Sequence, residues 1–236
     1  MKKMFTPLLL TLLGIFFLLA VFKMPPMGNP DNPTNVVAAP RYITQGPQET
    51  GCSNLVSAII LNYRIYDTMG EMVVIFGALA AALAILGREH VKEGLSPLKV
   101  EPSPLVRIMM VIYIPFFIIF ALYVIINGGF SVGGGFQGGA ILASVIIIYA
   151  LIFGFDNAVK RLPAKKRVFF EGMAILYFTV IGFMSVFMGK NFLDLNFLGI
   201  SMFQKFLTLG LEISIGLASG VTIASLFYIL KKVERG

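Results

Sequence analysis

Residues 105–155 read LVRIMMVIYIPFFIIFALYVIINGGFSVGGGFQGGAILASVIIIYALIFGF, and Arg107 is the single charged residue among them. A water-soluble helix of this length would carry charges along its solvent face. Two stretches here do not, and each is about long enough to cross a ~30 Å hydrocarbon layer at ~1.5 Å per residue. Working outward from this segment, the same pattern recurs. Met4–Phe22, Thr68–Leu86, Leu105–Ile126, Gly135–Phe153, Val168–Met188 and Leu209–Leu230 are the candidate spans. With 57% hydrophobic and 13% charged residues, the expected fold is all-α: an integral membrane protein with six transmembrane helices.

The charges that remain sit in the connecting segments. Lys2, Lys3, Arg88, Lys92, Lys99, Arg107, Lys160, Arg161, Lys165, Lys166, Arg167, Lys231, Lys232 and Arg235 fall on one side. Lys23, Arg41, Arg64, Lys190 and Lys205 fall on the other, so fourteen of nineteen basic residues share a face. The positive-inside rule then places both termini in the cytoplasm, a placement that an even number of spans fits. Lys2 and Lys3 ahead of an apolar run also resemble a signal peptide. The nineteen residues of Met4–Phe22 exceed the usual ~7–15-residue signal core, and Val21-Phe22-Lys23 offers no small-residue cleavage site, so an uncleaved helix is expected. One cysteine, Cys52, and one histidine, His90, exclude an internal disulfide and any multi-cysteine or histidine-rich metal site. The +7 net charge is dispersed among the loops and forms no long basic tract for nucleic acid.

Proline and glycine divide the chain further. Six prolines within Met24–Gln48 predict an extended outer loop. Leu55, Val56, Ile59, Ile60 and Tyr63 are spaced for an amphipathic helix on the outer membrane face, ending at Arg64. The polar segment 88–103 reads as a cytoplasmic linker between a two-helix unit, 1–87, and a four-helix unit, 104–236. Ser103-Pro104 predicts a helix start, and Pro115 a packing kink within a span.

The acids inside this apolar frame are the functional candidates. Asp67 and Glu71 are four residues apart and share a helical face, where a carboxylate in low dielectric becomes a proton or cation carrier. Thr68-x-x-Glu71 is equally a capping box for a helix start. Glu212 lies within the sixth span, with Lys205 two turns earlier as an alternative ion-pair partner. Glu171 lies one turn into the fifth span, behind Lys165, Lys166 and Arg167, as a boundary ion pair or a proton half-channel. The run Gly128–Gly139 has no Lys-Ser/Thr and no preceding strand, so it is not a phosphate loop. Gly134/Gly138, Gly135/Gly139 and Gly216/Gly220 instead have the spacing that brings helix backbones close in a membrane.

Asp67-Thr68-Met69-Gly70-Glu71 after its amphipathic segment resembles the C-terminal end of the large A subunit of Mrp-type Na+/H+ antiporters. It is similar also to the E subunit of archaeal membrane-bound hydrogenases. Ser103-Pro104-Leu105-Val106-Arg107, followed by Gly133-Gly134-Gly135-Phe136-Gln137-Gly138-Gly139, resembles the Mrp B subunit (MnhB/MrpB) and its hydrogenase counterpart, the F subunit. Gln137 stands where that motif often has Ile, and residues 128–132 depart from its usual loop. The two units are joined in one chain, which looks like membrane-bound sulfane reductase.

The resemblance implies a non-catalytic subunit of a membrane module that exchanges Na+ and H+ in the cell membrane. Other antiporter-like subunits and hydrogenase- or sulfane-reductase-type subunits are the implied partners. Iron–sulfur clusters would belong to those partners, with no cofactor or metal bound by this chain. On the motif match Asp67 and Glu71 are candidates for the ion path; Glu212 and Glu171 join them on burial. A scaffold that seals helix interfaces, and a subunit of a free-standing Mrp antiporter, are the alternatives.

Overall fold

The computed structural model describes residues 2–86 and 102–233. His90 and all but the last two residues of the 88–103 linker lie outside the described residues. Every element there is helical: α1 (Lys2–Phe22), a π-type turn (Thr34–Ala38), α2 (Ala39–Thr50), α3 (Leu55–Ala58), a second π-type turn (Ile59–Tyr63), α4 (Ile65–Leu86), α5 (Pro104–Ile126), α6 (Gly135–Phe153), α7 (Phe155–Arg161), α8 (Ala164–Phe187) and α9 (Ser201–Val233). The chain forms two compact units, Met1–Thr44 and Gln45–Gly236.

Five helices among the described residues, α4, α5, α6, α8 and α9, are long and apolar enough to cross a membrane, and Pro7–Phe22 is a shorter apolar helix. The chain is therefore a multi-pass membrane protein. The boundaries follow local chemistry. The Ser103 hydroxyl accepts from the Val106 N–H at 3.4 Å, with Pro104 at the first helical position where no donor is missed. The helix continues through Pro115. Gly134 precedes α6 at φ +143, a conformation that residues with a Cβ rarely adopt.

Within the larger unit α9 is the hub, packed by α4, α5, α6 and α8. Two-thirds of its membrane window (67%) is buried, against 11% for α4 and 17% for α5, whose apolar faces are left for lipid or other helices. Leu211, Ile215 and Ala218 of α9 meet Met72 of α4 and Phe178 and Ile181 of α8 in one apolar core. The opposite side of α9 is a glycine seam. A Cβ on Gly139 would sit 2.7 Å from the Gly216 carbonyl oxygen, and one on Gly220 2.9 Å from that of Gly139. Removing those side chains brings α6 and α9 together at backbone distance.

Three expectations are corrected. Residues 24–48 are not an extended loop, since Thr34–Ala38 and Ala39–Thr50 are helical; Pro33 and Pro40 sit at helix starts, where a missing N–H is tolerated. The segment at 55–63 is helical and stops at Arg64 as read, but its inner face is covered by protein, with Ser57, Ala58 and Leu61 buried. Thr68 does not cap a helix: α4 has already begun at Ile65, and the Thr68 hydroxyl donates to the Ile60 carbonyl at 2.5 Å. That bond holds α4 against the π-type turn before it.

Candidate functional site

The N-terminal half of α9 carries Glu212, only 2% exposed. Three glycines make room for it. A Cβ on Gly128 would lie 2.7 Å from its Oε1, one on Gly134 3.3 Å from its Oε2, and one on Gly135 2.6 Å from its own carbonyl oxygen. The Gly135 N–H, a donor left free at the start of α6, donates to Oε2 through a short hydrogen bond. Ser57 of α3, fully buried, places its hydroxyl 2.9 Å from Oε1 and 2.7 Å from the Gly128 carbonyl oxygen. Asn54, the N-cap of α3, ties the same loop down. Its Nδ2 donates to the carbonyls of Gly128 (2.6 Å) and Ser131 (2.8 Å), while its Oδ1 accepts from the Val56 N–H. A buried polar group is stable only when satisfied, and this carboxyl is held on both oxygens.

Beside it lies a cavity of about 20 Å³, lined by Glu212, Thr208, Lys205, Cys52 and Gly129 among others. Such a volume holds about one water. Lys205 is exposed, and its stem lies across Gly51, which adopts φ +72. The expected alternative, a Lys205–Glu212 ion pair, gives way to the Ser57 and Gly135 hydrogen bonds. Burial pushes the Cys52 thiol above its ordinary pKa.

The other half of α9 meets α8 in a second polar cluster. Arg167 is 5% exposed and lies over the Tyr228 ring at 5.4 Å. Glu171, one turn later and half-buried, has Oε1 3.5 Å from the Ser225 hydroxyl. Arg167 Nη1 and the Tyr228 hydroxyl are buried without a hydrogen-bond partner among the described residues. Arg167 therefore does not form the boundary pair with Glu171 that its position suggests; it turns inward onto an aromatic face.

Asp67 and Glu71 are placed differently. Both are exposed on α4, and Asp67 forms an ion pair with Arg64. The structure thus joins Glu212 to the glycine run and α3, and keeps Asp67, Glu71 and Glu171 apart from it. Ser57, Asn54 and Gly128 were invisible as site residues, because an asparagine before an apolar run reads as an ordinary cap and a serine within one as an ordinary helix residue. Gly128 was legible only as part of a glycine-rich run. Among the described residues no group of three His, Cys, Asp or Glu side chains gathers into a metal-sized site.

Residues 105–230 match the domain related to the MnhB subunit of Na+/H+ antiporters. The chain belongs to this MnhB-related family. Outside that domain the likeness continues: an uncharacterised protein of Methanocaldococcus jannaschii is 26% identical over 208 residues, covering 76% of this chain and 78% of the relative. A chain of the membrane-bound sulfane sulfur reductase, an archaeal respiratory membrane complex, superposes with TM-score 0.67 at 24% identity over 98% of both chains. A chain of the Mrp complex from Dietzia sp. DQ12-45-1b matches all of this chain with TM-score 0.63 at 22% identity, using 26% of its own length. These two likenesses are of fold. The first runs over nearly the whole of this MnhB-related protein and of its neighbour's chain.

Proposed function

We propose that this chain is a non-catalytic membrane subunit of the Na+/H+ antiporter module of a respiratory complex, of the sulfane reductase or hydrogenase kind. It spans the cell membrane six times with both termini cytoplasmic. An A-subunit-like unit, 1–87, and a B-subunit-like domain, 104–236, are joined by the 88–103 linker. Antiporter-like subunits border its exposed helices, and redox centres reside in iron–sulfur partners; Na+ and H+ are cargo. The MnhB-related family and the single-chain likeness to the sulfane reductase support this setting.

The observation that carries an ion-handling role is Glu212: a carboxyl buried at membrane depth, hydrogen-bonded on both oxygens and bordered by a water-sized cavity. Burying an ionisable group is expensive, and a group kept there for packing alone is replaceable by an apolar one. Asp67 and Glu71, exposed on α4, face the partner side of the path. Glu171 occupies the opposite half of the bundle. A scaffold reading is favoured by one feature of the same site, since the Gly135–Glu212 hydrogen bond also pins α6 to α9.

Transport in vesicles reconstituted with the purified complex separates the two. Glu212→Gln keeps a hydrogen-bonding side chain of the same size and is expected to assemble while losing Na+-coupled proton movement. Full transport by that assembled variant would leave the scaffold reading standing. Mass spectrometry of the gently purified complex is expected to find antiporter-like and iron–sulfur subunits together; antiporter subunits alone would indicate a free-standing exchanger.

A further inference from the structure

Ser57 Oγ lies 2.7 Å from the Gly128 carbonyl oxygen and 2.9 Å from Glu212 Oε1, both ordinary hydrogen-bond lengths. A serine hydroxyl owns one proton and can donate along only one of these contacts. We infer that Glu212, Ser57 and Gly128 form a proton-binding site in which the Ser57 hydroxyl reverses direction with the charge of Glu212. The inference rests on the ion-handling reading of Glu212 and names its ligand as a proton.

Both states are fully hydrogen-bonded. When Glu212 carries the proton, its Oε1–H donates to Ser57, and Ser57 donates to the Gly128 carbonyl. When the proton leaves, Ser57 turns its hydrogen to Oε1. The Gly128 carbonyl is not then orphaned, because Asn54 Nδ2 already donates to it at 2.6 Å. Oε2 keeps the Gly135 N–H in either state. An interior that offers a complete set of partners to both forms lowers the barrier between them, since no buried group is left unsatisfied on the way.

The same partners argue against a metal cation. Hard cations gather several oxygen ligands, whereas nitrogen donors from Asn54 and Gly135 point at these oxygens, and Lys205 lines the adjoining cavity. The cavity is the proton's way out. The O–H bond of Glu212 breaks, the proton passes to a water beside Thr208 and Lys205, and no electrons move. The charged or titratable groups near this stretch are Lys205 from α9, Cys52 from the α2–α3 connection and, from α8, Tyr177 against Gly210. From α5 and α6 the neighbours are Ile125 and Gly135.

Infrared difference spectroscopy of the reconstituted complex under a pH step tests the site. A protonated-carboxyl stretch is expected, and Glu212→Gln should remove it. In Ser57→Ala that band should move to higher wavenumber, because the carboxyl has lost the acceptor of its O–H, and Ser57→Thr should return it. Ser57→Cys, a weaker acceptor of similar size, should give a smaller shift in the same direction and keeps the test open if the alanine variant does not assemble. A Glu212 band that stays in place in Ser57→Ala and Ser57→Cys overturns the inference while the transport result for Glu212→Gln still stands. Full transport by Glu212→Gln overturns the underlying reading instead.

Discussion

The two ends of α9 hold polar groups in opposite ways. Around Glu212 every polar atom has a partner, and the partners come from three places in the sequence: α3, the loop before α6, and the start of α6 itself. Around Arg167 and Tyr228 two buried polar atoms have none within the described residues, although the rings and chains are packed. A satisfied cluster is finished by this chain alone. In an unsatisfied one, each orphaned buried polar group costs about 1–3 kcal/mol until water or another subunit supplies a partner. The Glu212 site is thus complete within the described residues, and the Arg167 cluster is not.

The largest effect should come from the glycine seam beside the Glu212 site. Gly139→Leu drives a side chain into the Gly216 backbone and should prevent folding, at about 3 kcal/mol or more, whereas Gly172→Leu near Glu171 meets open space and should assemble normally. Thermal melting and complex yield compare the two, and equal yields would break the contrast.

Next in size, Glu212→Leu leaves Ser57 and the Gly135 N–H facing an apolar group and should cost about 1–3 kcal/mol. Glu171→Leu should cost less than about 1 kcal/mol, since its single hydrogen bond is 3.5 Å long and the residue is half-exposed. Denaturation midpoints in detergent rank them; the reverse order would mean that Glu171 is the better satisfied.

Arg167→Met sharpens the difference. Replacing a buried, incompletely paired charge by an apolar chain of similar length is often neutral or stabilising, so the isolated chain should melt no lower. Melting of the assembled complex should fall if a neighbouring subunit supplies the missing acceptor. A lower melting point in the isolated chain would show that the stack on Tyr228 is sufficient by itself.

The smallest effects belong to an exposed pair outside both clusters and to a cysteine at the edge of the Glu212 cavity. The Arg64–Asp67 pair is 62% and 53% exposed, and Arg64→Ala should change stability by well under about 1 kcal/mol. Cys52 should react with alkylating reagents slowly at neutral pH. Its raised pKa keeps it in the thiol form, so labelling should climb only at more alkaline pH than for an exposed cysteine. Fast labelling at pH 7 would mean that the cavity beside Glu212 opens freely.

Much of the fold was legible because hydrocarbon imposes a one-dimensional rule: about twenty apolar residues make one span. That rule located α5 and α6 almost to the residue. It failed for residues 34–50, where prolines at helix starts look like loop residues, and for the first turn of α4, where a helix boundary imitated a capping box. Glu212 stood out as an acid among apolar neighbours, and the alternative left open by its seven-residue distance from Lys205, an ion pair, is replaced by other partners in the packed structure.

The sequence alone determined that this is a helical membrane protein and, through the likeness of its motifs, which family residues 105–230 belong to. The first follows from composition and short-range order, the second from resemblance. Tertiary structure alone decided that Glu212 meets Ser57, 155 positions away, and the Gly135 N–H, 77 positions away. Hydrogen bonding is directional and acts over about 3 Å, so only the close approach of α6 to α9 across their glycines could select those partners.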